Sequence, residues 1–157
     1  MKNNNETFQL KSTAFRDGED VPEKYTCDGE DVNPLLEIKN PPAGTKSFTL
    51  IVDDPDATGG NVWDHWLIWN ISPKTQYISE DSAPSDTTQG KNSFGKQKYG
   101  GPCPPFGHNA HHYRFAVYAL DTILDIPQES GSVELKSAIK GHIIEEVTLI
   151  GLYKRKM

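Results

Sequence analysis

Histidine and aspartate are the residues whose placement along this chain could carry chemistry. Three of the five histidines, His108, His111 and His112, follow a glycine- and proline-rich stretch that opens at Tyr99 and runs YGGPCPPFG. His65 follows Trp63-Asp64, and Asp53, Asp54 and Asp56 gather around Pro55. An imidazole changes charge near neutral pH, and a carboxylate beside it orients the ring and favours its protonated form. Asp54 with His65 and His111 therefore suits general acid–base work, metal ligation or anion binding. No GxSxG elbow, HExxH motif or obvious nucleophile accompanies the histidines. Anion binding is the reading left in front, with amides near Gly100, Gly101 and Cys103 as backbone donors and the imidazoles as side-chain donors. Binding by that charge source should strengthen as pH falls through about 6.5, the unperturbed imidazole value.

The elements that must position these residues read as strands. Ser47 to Val52 is an apolar strand that Asp53-Asp54-Pro55-Asp56 must end, since proline cannot donate to a central ladder. His65 to Ile71 alternates His65, Leu67, Trp69 and Ile71 against Trp66, Ile68 and Asn70, with both faces largely apolar. Tyr113 to Leu120 is a third strand, Leu35 to Ile38 a shorter one, and Val147 to Tyr153 returns to strand character. If His111 and Tyr113 keep strand alternation they point the same way, and His65 can face them from a neighbouring strand. One helix is expected from Val133 to about Glu145, with Ser132 as N-cap and Leu135, Ala138, Ile139, His142 and Ile143 on one face. Gly141 falls inside that helix and implies close packing there, with His142 resting on the sheet. Ser72 to His112 has no sustained periodicity, and is read as a mobile outer part leading into a rigid mouth from Tyr99.

At 157 residues the chain fits one domain, residues 13–157, after a flexible tail over residues 1–12 whose first five residues are a loose end. Lys+Arg 16 against Asp+Glu 22 gives a net charge of −6, which argues against nucleic acid and against anionic membrane surfaces. Met1 to Ser12 is polar and lacks a signal-like apolar core, and no stretch approaches a membrane span, so a cytoplasmic location without stable membrane insertion is expected. Cys27 and Cys103 are too few for a disulfide scaffold or a zinc site alone; both lie in loops that can meet, with reduced thiols the default. Asp53 and Asp56 read as turn-formers, Trp66 and Trp69 as core, and His108 and His142 as structural.

Asp54-Pro55-Asp56-Ala57, His65-Trp66 and Gly101-Pro102-Cys103-Pro104-Pro105, leading to His111-His112-Tyr113, occur in this order. Together with Ser47–Val52, Ala138-Ile139-Lys140-Gly141-His142 and Gly151-Leu152-Tyr153, they resemble the phosphatidylethanolamine-binding protein family, specifically its prokaryotic Raf-kinase-inhibitor-like branch. The likeness spans about Phe15 to Tyr153. It implies a mainly β fold: an antiparallel Greek-key β-fold of two packed sheets with a flanking C-terminal helix. It implies a small anion pocket on Asp54, Trp63, His65, Tyr99, Gly101, Cys103, Pro105, His111 and Tyr113.

The resemblance further implies a non-enzymatic binding or regulatory protein without a cofactor. Its ligand would be a phosphate-type head group or another small anionic or phosphorylated ligand, with a kinase or protease as a conceivable protein target, and the branch makes a homodimer reasonable. The alternative is a hydrolase or metal-dependent enzyme using Asp54, His65 and His111. Two departures stand out. Ala57 is followed by Thr58 where the family commonly has proline, so a trans bond is expected there. His112 replaces the family's usual arginine, exchanging a fixed cation for a titratable group.

Overall fold

Ser47–Asp54 is buried at every position, and this strand sets the architecture. A strand covered on both faces needs a layer on each side, and continuous apolar sequence rather than alternation is what such a strand requires. The structure, a computed structural model, describes residues 6–156. Its strands are β1 (Gln9–Lys11), β2 (Glu19–Asp20), β3 (Leu36–Lys39), β4 (Ser47–Asp54), β5 (Trp63–Ile71), β6 (Tyr77–Ile78), β7 (Thr88–Gln89), β8 (His111–Leu120) and β9 (Ile143–Tyr153). A 3₁₀ turn spans Glu23–Tyr25, and one helix, α1, spans Ser132–Ile139.

Six strands form a sheet in the order β2-β9-β8-β4-β5-β7, and β1-β3-β6 form a second sheet. The β4–β5, β4–β8 and β8–β9 pairs are antiparallel; β2 joins β9 in parallel. Phe48, Leu50, Val52, Trp66, Ile68, Phe115 and Val117 on one face of the large sheet meet Leu10, Leu36 and Ile38 from the small sheet and Phe8 just before it. On the opposite face Ile51, Leu67, Trp69 and Leu120 pack under Leu124 and the helix residues Leu135 and Ile139. Two packed sheets with one flanking C-terminal helix are the architecture expected from the sequence.

The differences have local causes. Residues 1–5 of the expected tail lie outside the described residues, but β1 pairs with β3, and Phe8 and Leu10 enter the core. The helix is shorter than expected: Gly131 is the N-cap, Ser132 is already helical, and the Glu134 carboxylate accepts from the Gly131 N–H. It stops at Ile139 because Gly141, at φ +84°, turns the chain out of the helix rather than packing inside it. His142 and Ile143 therefore leave the helix face; His142 is exposed and bonds Asp121 Oδ1 at 2.8 Å instead of resting on the sheet. Strand β9 begins at Ile143, ahead of the expected Val147.

In β5 the alternation breaks at Asn70, whose φ is +59°. Its side chain is held by both backbone groups of Leu124, accepting from the N–H and donating to the C=O at 2.8 Å. Ile71 is thereby switched to the face of Trp66 and Ile68. Cys27 and Cys103 are joined in a disulfide, not left as thiols. The long segment before His111 carries only two short strands, yet it is tied down by Asn33 to Ser79 and by Gln97 to Gln89 and Gln128.

Candidate functional site

Strand order brings the motif residues together. β4 lies between β8 and β5, so Asp54 at its end stands between His111 on β8 and His65 on β5. His65 and His111 are thus on strands one apart rather than on adjacent ones. His111 and Tyr113 keep strand alternation, and both are buried on the same side of β8.

The Asp54 carboxylate divides its bonds between two tasks. Oδ2 is 2.7 Å from His111 Nδ1, and Oδ1 accepts the Asp56 N–H at 2.8 Å. The second bond closes the turn after β4, so Asp54 rather than Asp56 is the turn-former there. Both partners of the first bond are buried, which makes it a demanding arrangement to leave incomplete. His65 is fixed from the other side: its Nδ1–H donates to the Gly100 C=O at 2.7 Å. That bond assigns the tautomer and leaves Nε2 as the nitrogen for a ligand. Burial pushes the His65 imidazole below its ordinary value, against the opposing pull of Gly100 and the neighbouring carboxylates. Tyr113 packs edge-on to His65, ring centroids 5.3 Å apart, and parallel to His111 at 6.3 Å. Burial, and then the Asp54 charge, hold its phenol far above the usual range, so it remains a hydroxyl donor.

These groups open onto a cavity of about 220 Å³ lined by Asp54, Trp63, His65, Cys103, Pro105, His111 and Tyr113, together with Ala57, Thr58, Phe94 and Pro104. Tyr99 and Gly101, the other two expected members, stand behind it. The Tyr99 hydroxyl donates to the Tyr25 C=O at 2.7 Å and its ring meets Trp66 edge-on. The Gly101 N–H donates to Asp31 Oδ1 at 2.7 Å, and the Gly100 N–H to the His65 C=O at 3.0 Å. Both amides are committed inside the protein, which corrects their reading as anion donors. Glycine at 101 is required by contact, since a Cβ there would lie 2.3 Å from the Tyr25 carbonyl oxygen.

Phe94 is the wall that sequence reasoning missed. It meets Trp63 edge-on at 5.4 Å and His65 at 5.5 Å. A Cβ on Gly100 would strike its ring at 2.6 Å, so Gly100 makes room for it. Buried Asn92 sets its position: Oδ1 accepts the N–H groups of Phe94 and Lys96, while Nδ2 donates to the carbonyls of His65 and Lys98. The Asn92-Ser93-Phe94-Gly95 turn was the available signal.

The remaining histidines and aspartates take separate roles. His112 Nδ1 lies 2.7 Å from Asp56 Oδ2, which also accepts the His112 N–H. Asp53 is a strand residue, not a turn-former, held in a fork by Arg114 at 2.7 and 3.1 Å. His108 Nδ1 approaches His111 Nε2 at 3.4 Å, so both ring nitrogens of His111 face protein partners. The Ala57–Thr58 bond is trans, as expected. Among the described residues no group of three or more His, Cys, Asp or Glu side chains has the geometry of a metal site.

The family model described as "Phosphatidylethanolamine-binding protein" matches residues 11–154. The chain belongs to the phosphatidylethanolamine-binding protein family. Among curated relatives, the UPF0098 protein PH1269 of Pyrococcus horikoshii is 46% identical over 158 residues, covering 96% of this chain and 79% of that protein. Among solved structures, CT736 of Chlamydia trachomatis superposes with a TM-score of 0.89 at 36% identity, over 96% of this chain and 99% of that one. Escherichia coli YbcL, described as a new member of the mammalian family, superposes with a TM-score of 0.90 at 32% identity, over 95% and 99%. Membership of this family supports a binding or regulatory role in general. Among its described residues no helix is long and apolar enough to cross a membrane.

Proposed function

We propose that the cavity between Asp54, His65 and His111 binds a phosphate-type group, carried by a small ligand or by a phosphorylated partner. The observation that carries this reading is the buried Asp54–His111 pair beside a His65 whose Nδ1 is occupied. A cavity of about 220 Å³ is small beside the roughly 300–1,000 Å³ of ordinary small-molecule sites, which favours a head group over a bulky substrate. Trp63, Phe94, Pro104 and Pro105 limit water and strengthen the few polar contacts inside.

The Gly100 and Gly101 amides are used elsewhere and both His111 ring nitrogens face protein partners, so donation falls to His65, the Tyr113 hydroxyl and the Cys103 amide. In the neutral tautomer fixed by Gly100, His65 offers a lone pair at Nε2; it offers a proton only once charged. An anion in the cavity therefore brings a proton with it or draws one from solvent. Calorimetric titration with inorganic phosphate in buffers of different ionisation enthalpy tests this. The expected result is saturable 1:1 binding with net proton uptake that grows in strength as pH falls. Heat no greater than dilution, across that pH range, overturns the reading.

A further inference from the structure

One wall of the cavity has an unusual means of support. The chain entering it is anchored by ordinary backbone bonds as far as Pro102: Gly100 to His65, Gly101 to Asp31, and the Cys27 N–H to the Pro102 C=O at 3.1 Å. Beyond that point Pro104 and Pro105 have no amide to donate, and regular pairing resumes only at His111. Apart from a long turn bond from the His108 N–H to the Pro105 C=O at 3.4 Å, the wall residues Cys103 to Phe106 are held by side chains. Cys103 is bonded to Cys27. Asp28, the next residue, accepts from Arg155 Nη2 at 2.8 Å, from Arg155 Nε at 3.3 Å and from the Tyr153 hydroxyl at 2.6 Å. The Arg155 guanidinium then lies over the Phe106 ring, 3.8 Å from its centroid. Phe106 leads back through Pro105 and Pro104 to Cys103, closing a circuit.

The components favour one another. The hydrogen bonds from Arg155, and then the one from Tyr153, hold the Asp28 carboxyl below the usual carboxylate range. Arg155 is well sheltered for a residue near the chain end, with its side chain 22% exposed, whereas Phe106 is 53% exposed. An exposed phenylalanine gains little from burial, so the guanidinium face is its principal contact. Cys103 is itself exposed and lines the cavity, which puts the disulfide within reach of a soluble thiol. Disulfides are rare in reducing compartments, so this bridge is where the wall meets the redox environment.

We propose that Arg155 and the Cys27–Cys103 bridge are positioning residues that together fix the Cys103–Phe106 wall, so that anion affinity is coupled to thiol redox state. The proposal rests on the phosphate reading above. A dithiol supplies two electrons and two protons; the S–S bond breaks, both cysteines become thiols, and the dithiol closes to its own disulfide. After reduction the wall keeps the Asp28–Arg155–Phe106 contacts and the 3.4 Å turn bond from the His108 N–H to the Pro105 C=O, and the two side-chain supports become interdependent.

The test is inorganic phosphate binding to the full chain, oxidised or treated with dithiothreitol, for the wild type and for Arg155→Ala, Arg155→Lys and Phe106→Trp. Circular dichroism checks that each is folded. Reduction is expected to weaken binding by about tenfold, and Arg155→Ala to weaken it further in the reduced protein than in the oxidised one. Lysine should fail to restore affinity, because it lacks the planar face, while tryptophan at 106 should preserve it. Hydrogen exchange of the amides from Phe106 to Ala110 reads the wall without any ligand. It should accelerate on reduction and in Arg155→Ala, with the β4 and β8 amides unchanged. Equal phosphate affinity in folded oxidised and reduced protein, with unchanged exchange in that segment, overturns the proposal. If oxidised wild type binds no phosphate, the functional reading fails, and the exchange measurement still decides whether the wall is held as described.

Discussion

Asp54 Oδ2 and His111 Nδ1 lie 2.7 Å apart, and so do Asp56 Oδ2 and His112 Nδ1, two residues on from Asp54 and one on from His111. The distances are equal and the surroundings are not. The first pair is buried, with side chains 5% and 6% exposed, while those of the second are 42% and 58% exposed. Removing one partner of the buried pair leaves the other without a bond in a dry site, a loss of about 1–3 kcal/mol. The exposed pair exchanges its contact for water and salt, and is worth about 0–1 kcal/mol. Asp54→Ala should accordingly lower the unfolding free energy in urea by about 1–3 kcal/mol, and Asp56→Ala by less than about 1 kcal/mol. Equal losses would place the two pairs in equivalent environments.

His65 links stability to pH. Its folded-state affinity for a proton is below the unfolded one, chiefly because it is buried. The unfolded chain then binds more protons than the folded chain over that range, and stability rises with pH. The His65 contribution is present above the unfolded imidazole value of about 6.5 and is lost as pH falls through the lower folded value. Thermal melts between pH 7.5 and 5 should therefore show a falling Tm, with a smaller fall in His65→Gln. Saturating phosphate should oppose the fall, since an anion favours the charged ring.

Gly101 separates a packing role from a binding role. Alanine there would place its Cβ 2.3 Å from the Tyr25 oxygen and 2.6 Å from Asp31 Oδ1. The first neighbour is backbone and cannot swing aside, so Gly101→Ala should cost about 1–3 kcal/mol in stability as overpacking. At a temperature where the variant is still folded, its phosphate affinity should stay within a few-fold of wild type. A large loss of affinity with unchanged stability would return Gly101 to the binding surface.

Asn92 tests how the missed wall is positioned. Its buried amide makes four contacts that hold the Phe94 turn against β5. Asn92→Ala should destabilise by about 1–3 kcal/mol through unpaired backbone groups. It should also weaken phosphate binding more than Phe94→Leu, which keeps an apolar wall in place. Equal binding in wild type and Asn92→Ala would show that the turn does not shape the cavity.

Much of this site was legible because strand patterns and motif spacing agree. The apolar run at Ser47–Val52, ended by Pro55, located β4 and left Asp54 at its tip. The alternation read from Tyr113 through Ala119, if carried back to His111, put His111 and Tyr113 on one side, and β8 does begin at His111. What the residues did not reveal was decided by contacts distant in sequence. Gly100 and Gly101 suggested free amides, but their partners, His65 and Asp31, come from other parts of the chain. Cys27 and Cys103 are separated by 76 residues, and only the fold joins them. The helix was overextended because Gly141 fits either a helix interior or a terminus, and its φ of +84° decides for the terminus. Ile71 changed faces because Asn70 takes a left-handed conformation that alternation cannot foresee. Phe94 lay in a stretch without periodicity, where one asparagine rather than a ladder supplies the order.

The central claim is that a phosphate-type group sits against His65 and His111, and the most direct measurement is NMR of the imidazole nitrogens during titration with inorganic phosphate at pH 6. The account predicts saturable shifts of the His65 and His111 resonances with one common dissociation constant, and no comparable shift at exposed His142. Unmoved His65 and His111 signals in folded protein, or shifts of equal size at His142, would contradict it.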